Sequence, residues 1–247
     1  MKEIKILLAA LCINHASLSF AQSSETEKEF NAGLAALQRG HYATAYRAWV
    51  DIAQAGNLRA KSNIGYLYEH GLGVSQNYTK AMEWYLEAAE AGLSEAQHNL
   101  GMMYAEAKGT EESWGRALMW FKRAAEQSSV ESLYMIGLSY YRGLGQIEDK
   151  TQAYRYFKLS AERGYADAQY MLSYMLLAAE GPSKNSDPYN AYVWATFGLE
   201  GGQTQAEEVR DLARMVLEKS ELLDAENEVN ACQTDGVRCA RLIDKQI

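Results

Sequence analysis

The sequence predicts an all-α solenoid, and three observations carry that prediction. The first is an internal repeat: Gly65, Gly101 and Gly137 stand 36 residues apart, with Ser173 at the next place. Tyr68, Tyr104 and Tyr140 keep the same period, as do Ala81, Ala117 and Ala153, the series Trp84, Trp120 and Tyr156, and Ala89, Ala125 and Ala161. Gly92, Ser128 and Gly164 close the frame. The second observation is that each unit divides into two helix-length halves. In WGRALMWFKRAAEQ, Ala117, Trp120, Phe121, Ala124 and Ala125 follow the i, i+3, i+4, i+7, i+8 spacing of an amphipathic helix. The third is composition: two prolines in 247 residues, with Ala, Glu, Leu, Lys, Arg and Gln dominating most windows, favours helix.

Taken in chain order, residues 1–21 read as an export signal. Lys2 and Lys5 form a basic end, Ile6 to Ile13 is apolar, and Ser19-Phe20-Ala21 offers small residues at the −3 and −1 positions, so cleavage leaves Gln22 first. The apolar run is far short of the roughly 20 residues that span a bilayer. Leu11 before Cys12 does not match a lipid-attachment site. The expected location is the periplasm or the exterior, with no stable membrane insertion once the signal is removed. The first repeat, about 28–57, is divergent: it keeps Gly33, Ala45, Trp49, Ala53 and Gly56 but has a short linker with Gly40 alone. Units 58–93, 94–129 and 130–165 follow in register. A glycine inside a helix costs about 1 kcal/mol against alanine. Its recurrence implies close approach, with a Trp or Tyr ring of the second helix laid on it. The fifth unit, 166–205, keeps Ala168, Ala191, Trp194 and Gly201, and lengthens its connection to EGPSKNSDPYN. There Asp187-Pro188 marks a helix start. Residues 206–247 read as C-terminal capping helices, polar outside, because a solenoid end exposes a face that neighbours cover elsewhere. Cys232 and Cys239 flank a turn-forming QTDGVR, and in an oxidising compartment such a pair is most simply a structural disulfide. A redox or metal site would need closer spacing or further ligands.

The paired segments NIGYLYEHGLG with KAMEWYLEAAEAG, and LGMMY with RALMWFKRAAE, closely resemble the Sel-one-like repeat, a longer-looped branch of the tetratricopeptide superfamily. The resemblance covers roughly Phe30 to Ala206. It implies a right-handed superhelical solenoid of about five antiparallel helix pairs, whose concave side is lined by the first helix of each pair. Carried over by register, that side comprises Arg59, Ser62, Tyr66, Glu69 and His70, then Glu95, His98, Met102 and Glu106. It continues with Glu131, Tyr134, Leu138, Tyr141 and Arg142, and with Asp167, Tyr170, Tyr174 and Leu177. Tyrosine and arginine concentrate binding energy at interfaces. The expected role is a non-enzymatic scaffold for a protein or peptide partner, an envelope regulatory or assembly factor. The alternative is a peptidoglycan- or glycan-binding, or cell-wall-modifying, protein. Disulfide-rich relatives linked to peptidoglycan carry a cysteine pair in each repeat, a feature this chain lacks.

Chemistry in the sequence points the same way. A net charge of −8 without clustered Lys and Arg argues against nucleic-acid binding. Catalytic signatures such as H-E-x-x-H, S-x-x-K and G-x-S-x-G do not occur, and His41, His70 and His98 lack metal-ligand spacing. No cofactor is expected. Adjacent repeats could bring Glu69 and Glu106 near each other, and paired acids can do acid–base work, but on an exposed face they read as solvated charges. Asn77-Tyr78-Thr79 fits a glycosylation sequon by its residues alone. The loops EHGLG and YRGLG follow a helix rather than a strand, so Gly71 and Gly143 read as left-handed helix stops and not as a phosphate cradle. Gly101→Leu should overpack its helix pair and lower stability by about 1–3 kcal/mol in urea unfolding.

Overall fold

The computed structural model describes residues 24–234. The export signal and Cys239, with its expected bond to Cys232, lie outside them. The described chain is all-helical: α1 (24–38), α2 (Tyr42–Gln54), α3 (Leu58–His70), α4 (Tyr78–Glu90), α5 (Ser94–Ala105), α6 (Trp114–Glu126), α7 (Val130–Arg142), α8 (Lys150–Ala161), α9 (Ala166–Leu177), α10 (Pro188–Glu200), α11 (Ala206–Val216) and α12 (Lys219–Thr234). Consecutive helices pack in pairs, the arrangement of an α-solenoid. The chain forms two compact units, one ending at Glu111 and the other beginning at Glu112.

In the second to fifth repeats the second helix starts where the sequence supplies an N-cap, whereas α2 begins after His41 without a side-chain cap. Asn77 accepts from the Lys80 amide at 2.9 Å, Ser113 from Arg116 at 3.4 Å, and Asp149 and Asp187 each accept at 3.0 Å, from Gln152 and Asn190. Each cap contributes about 1 kcal/mol against alanine. The Asn-Tyr-Thr triplet is therefore helix punctuation.

The ring that meets the helix glycine is a Trp or Tyr in two repeats, as expected, and a Phe in another. A Cβ on Gly33 would lie 2.1 Å from Trp49, one on Gly65 2.8 Å from Tyr85, and one on Gly137 2.7 Å from Phe157. These rings sit one residue after the Trp84 and Tyr156 column. The buried stripe of α4 runs Ala81, Tyr85, Ala88, Ala89, and position 84 is turned about 100° away from it. Tyr156 instead stacks on Tyr140, with ring centres 5.7 Å apart and 14° between planes. The motif tyrosines Tyr68, Tyr104 and Tyr140 are accordingly half-buried rather than fully enclosed. In the fifth repeat the two-residue-longer connection places Ala195 in register with Phe157. A small residue there allows Ser173 to stand where the other repeats need glycine.

Two loop positions set how repeats join. Gly71 (φ 67°) and Gly143 (φ 68°) end α3 and α7 in the left-handed conformation, as expected. In register with them, Ala107 (φ 55°) and Ala179 (φ 57°) adopt the same conformation with a side chain. The second loop glycine has a different task. A Cβ on Gly73 would lie 2.4 Å from the Ala43 nitrogen, and one on Gly145 2.6 Å from the Trp114 Cβ, so the loop rests directly on the start of the preceding repeat's second helix.

At the C-terminal end, Ala213, Ala225 and Val229 of α11 and α12 join the core built on α8, α9 and α10. Cys232 is buried on α12. The outer surface of this end departs from a polar cap: Leu212, Met215, Val216 and Leu223 are 44%, 74%, 67% and 57% exposed. Capping covers the core face of α10, and nothing in that contact requires the opposite face of α11 to be polar.

Replacing Ala107 by Gly relieves a left-handed alanine at a smaller cost in chain entropy, and should raise stability by about 0.5–1 kcal/mol in urea unfolding. Gly145→Ala should lower it by roughly 1–3 kcal/mol, because helix backbone cannot yield as a flexible side chain can.

Candidate partner-binding face

In the N-terminal unit the face presented by first helices begins with Arg59. Its guanidinium lies 3.9 Å from the centre of the Phe30 ring and 3.5 Å from Glu27, so α1 already engages it. Tyr66 and His70 are one turn apart on α3 and stack with centroids 4.2 Å apart, while the Tyr66 carbonyl oxygen meets His70 Nδ1 at 3.0 Å. Tyr66 is 40% exposed and is the aromatic surface of this part of the face. His98 and Met102 follow on α5, both half-buried.

Glu69 has a different role from that of a free surface acid. Tyr85 donates to it at 3.0 Å, and the Lys108 ammonium lies 2.8 Å from it and 2.8 Å from Glu106. The two acids are therefore brought together, but across a shared lysine that occupies the space between them. The result is an ionic bridge joining α3, α4 and the loop after α5. Burial, and then the Glu69 charge, pushes the Tyr85 hydroxyl well above its ordinary value, so it stays a donor. Hydrogen bonds to Glu106 and Glu69 raise Lys108 in the same sense of favouring its charged form.

In the C-terminal unit Tyr134 packs against Phe157 and Tyr165 at 5.6 and 5.4 Å, and burial raises its hydroxyl. It is chiefly a packing residue. Tyr141 donates to Glu180 at 2.8 Å, and the Lys150 ammonium lies 3.2 Å from its ring centre. The Tyr141–Glu180 and Glu69–Lys108 contacts both join residues 39 apart, from the end of one first helix to the loop of the next repeat. One structural contact is thus made with two chemistries. Arg142 is exposed on the last turn of α7. Tyr170 is half-buried and Tyr174 is 39% exposed. With Leu177 and Ala178 they form one wall of a cleft of about 280 Å³, whose other wall is Gln205, Glu208, Val209 and Leu212.

Sequence reasoning missed Lys108, Tyr85 and Glu180, because an ion bridge between repeats leaves no local periodicity. It also missed the contribution of α11. The signal for that helix was available: Ala206 opens it as Ala166 opens α9, after a similar glycine turn at Gly201-Gly202. Among the described residues no group of three His, Cys, Asp or Glu side chains is placed to hold a metal ion, and no helix is long and apolar enough to cross a membrane.

The Tyr85→Phe change keeps the ring on Gly65 and removes one donor from the nearly buried Glu69. It should cost about 1–3 kcal/mol in thermal and urea unfolding. Tyr66→Phe, at an exposed hydroxyl, should stay within about 0.5 kcal/mol.

Comparison with known proteins places this geometry. The Sel1 repeat matches at residues 58–93, 94–129, 130–165 and 166–202. A solved Sel1 repeat protein from Oxalobacter formigenes shares 29% identity over 73% of this chain and 74% of that chain, with a TM-score of 0.65. A Klebsiella pneumoniae putative Sel1 repeat protein has the same fold at 21% identity over 78% of this chain and 95% of that one, TM-score 0.53. The uropathogenic Escherichia coli protective antigen c5321, which displays an SLR fold, is 24% identical over 88% of this chain and 56% of its own length, TM-score 0.50. No curated protein matches the chain. With four tandem matches spanning more than half of its residues, the chain belongs to the Sel1 repeat family.

Proposed function

We propose that this protein is an exported, non-catalytic scaffold that holds a partner protein or peptide on the concave face presented by its first helices. The observation that carries the reading is the distribution of aromatic rings. Second helices bury theirs, as Trp49, Tyr85 and Phe157 do, whereas first helices turn Tyr66 and Tyr174 outward at 40% and 39% exposure. Rigid amphipathic rings on a packed helix lose little conformational entropy on binding, so they suit an anchoring surface. Sel1 repeats typically bind protein partners, which supports the same reading. The N-terminal leader pattern supports a place in the periplasm or outside the cell, where the protein would serve a regulatory or assembly complex.

A photo-crosslinking residue placed at 66 or 174 of the mature protein, irradiated in intact cells, should yield a discrete protein adduct in the envelope or extracellular fraction. Replacement of His70, which packs on position 66 within the same unit, by alanine should reduce the adduct at 66 severalfold without changing thermal melting. Adducts absent at both positions, or co-sedimentation with purified peptidoglycan in their place, would overturn the scaffold reading in favour of a glycan-directed one.

A further inference from the structure

The cleft between α9 and α11 has a definite chemistry. Tyr170, Tyr174 and Leu177 form one side, Val209 and Leu212 the other, and Glu208 stands among them. Glu208 is exposed and makes no ion pair or hydrogen bond among the described residues. Its neighbours Glu207 and Asp211 are both engaged by Arg210, at 3.6 and 2.9 Å. No lysine or arginine lines the cleft. It therefore offers an unneutralised carboxylate beside two aromatic rings, a combination that attracts a cation and repels an acidic group.

The apolar surface continues beyond the cleft. Glu208, Leu212, Met215 and Val216 follow helical spacing, so they share one face of α11, and the last three are 44%, 74% and 67% exposed. From Glu208 to Met215 the helix rises about 10 Å. A peptide in the polyproline II conformation advances about 3.1 Å per residue and returns to the same side every third residue. Two of its side chains three residues apart would thus fall about 9 Å apart on one side, matching the carboxylate and the apolar strip. The chain's net charge of −8 favours approach of a basic partner over long range.

We propose that the α9–α11 cleft receives a partner segment in polyproline II conformation, carrying a basic and an apolar side chain three residues apart. The cation meets Glu208 beside the Tyr170 and Tyr174 rings, and the apolar side chain rests on Leu212 and Met215. The inference rests on the scaffold reading and deepens it by naming what one part of the face selects.

The test uses the full mature chain labelled with 13C at its methionine methyls, and the peptide Ac-Gly-Lys-Pro-Pro-Leu-Gly-NH2. The expected result is a saturable shift of the Met215 methyl below roughly 1 mM peptide. It should weaken at least tenfold when the peptide's Lys is replaced by Glu or its Leu by Ser. Glu208→Lys should reverse the preference between the Lys and Glu peptides at unchanged melting temperature, and Leu212→Ser should weaken both. No saturable shift, or a shift indifferent to Glu208→Lys, would overturn the proposal. So would a Met215 shift that depends on protein concentration alone, with a dimer in sedimentation velocity, since that assigns the face to a second copy. If the crosslinked adduct at 66 or 174 forms while the peptide fails, the scaffold reading stands and this inference falls. If the peptide binds and no adduct forms, the cleft chemistry stands and the scaffold reading falls.

Discussion

The packing of the repeats depends first on a ring lying against a glycine, made at Gly33, Gly65 and Gly137. In three of the helix pairs the second helix presses a large flat side chain onto a first-helix position with no Cβ: Trp49 on Gly33, Tyr85 on Gly65, Phe157 on Gly137. The glycine weakens its helix by about 1 kcal/mol, and full burial of the ring contributes roughly 1.5–3 kcal/mol. The exchange is favourable only if the helices close to that distance. This fixes their spacing and commits the second helix's aromatic residue to the interior. The first helix is then left to supply the outward surface. Division of labour between core and outward face follows from one packing contact.

Repeats are joined by a second set of contacts that the ring-and-glycine pairs leave open. The loop glycines Gly73 and Gly145 let the chain rest on the start of a preceding second helix. Polar bridges reinforce the junction: Lys108 to Glu69 in one unit, Glu180 to Tyr141 in the other. These bridges use first-helix side chains that register alone assigns to the binding face. A position can therefore lie on that face and still be occupied by structure. Tyr66, exposed and stacked on His70, and Tyr174, beside the cleft, keep their aromatic surface open; Glu69 and Tyr134 do not.

At the C-terminal end the closing of the core and the extension of the outward surface fall to different helices. Residues of α12 cover the core side of α10, whereas α11 takes the place of another first helix and extends the outward surface. An apolar strip on α11 would be a liability if that helix served only to end the array. It is continuous with an aromatic cleft and with a carboxylate, Glu208, that has no ion pair among the described residues.

By itself the sequence determined the all-helical class, the 36-residue frame, the helix start at Asp187 and the left-handed stops at Gly71 and Gly143. Each of these is a local or strictly periodic constraint, carried by residues a few positions apart or by a column repeated in register. Tertiary structure decided which ring meets the glycine, since one residue of error turns a helix by 100° and no column of aromatics declares its own phase. It also decided that Glu69 and Glu106 share Lys108, that Glu180 occupies Tyr141, and that α11 completes a cleft with α9. Those contacts join side chains from separate elements, and their geometry exists only once the helices are packed.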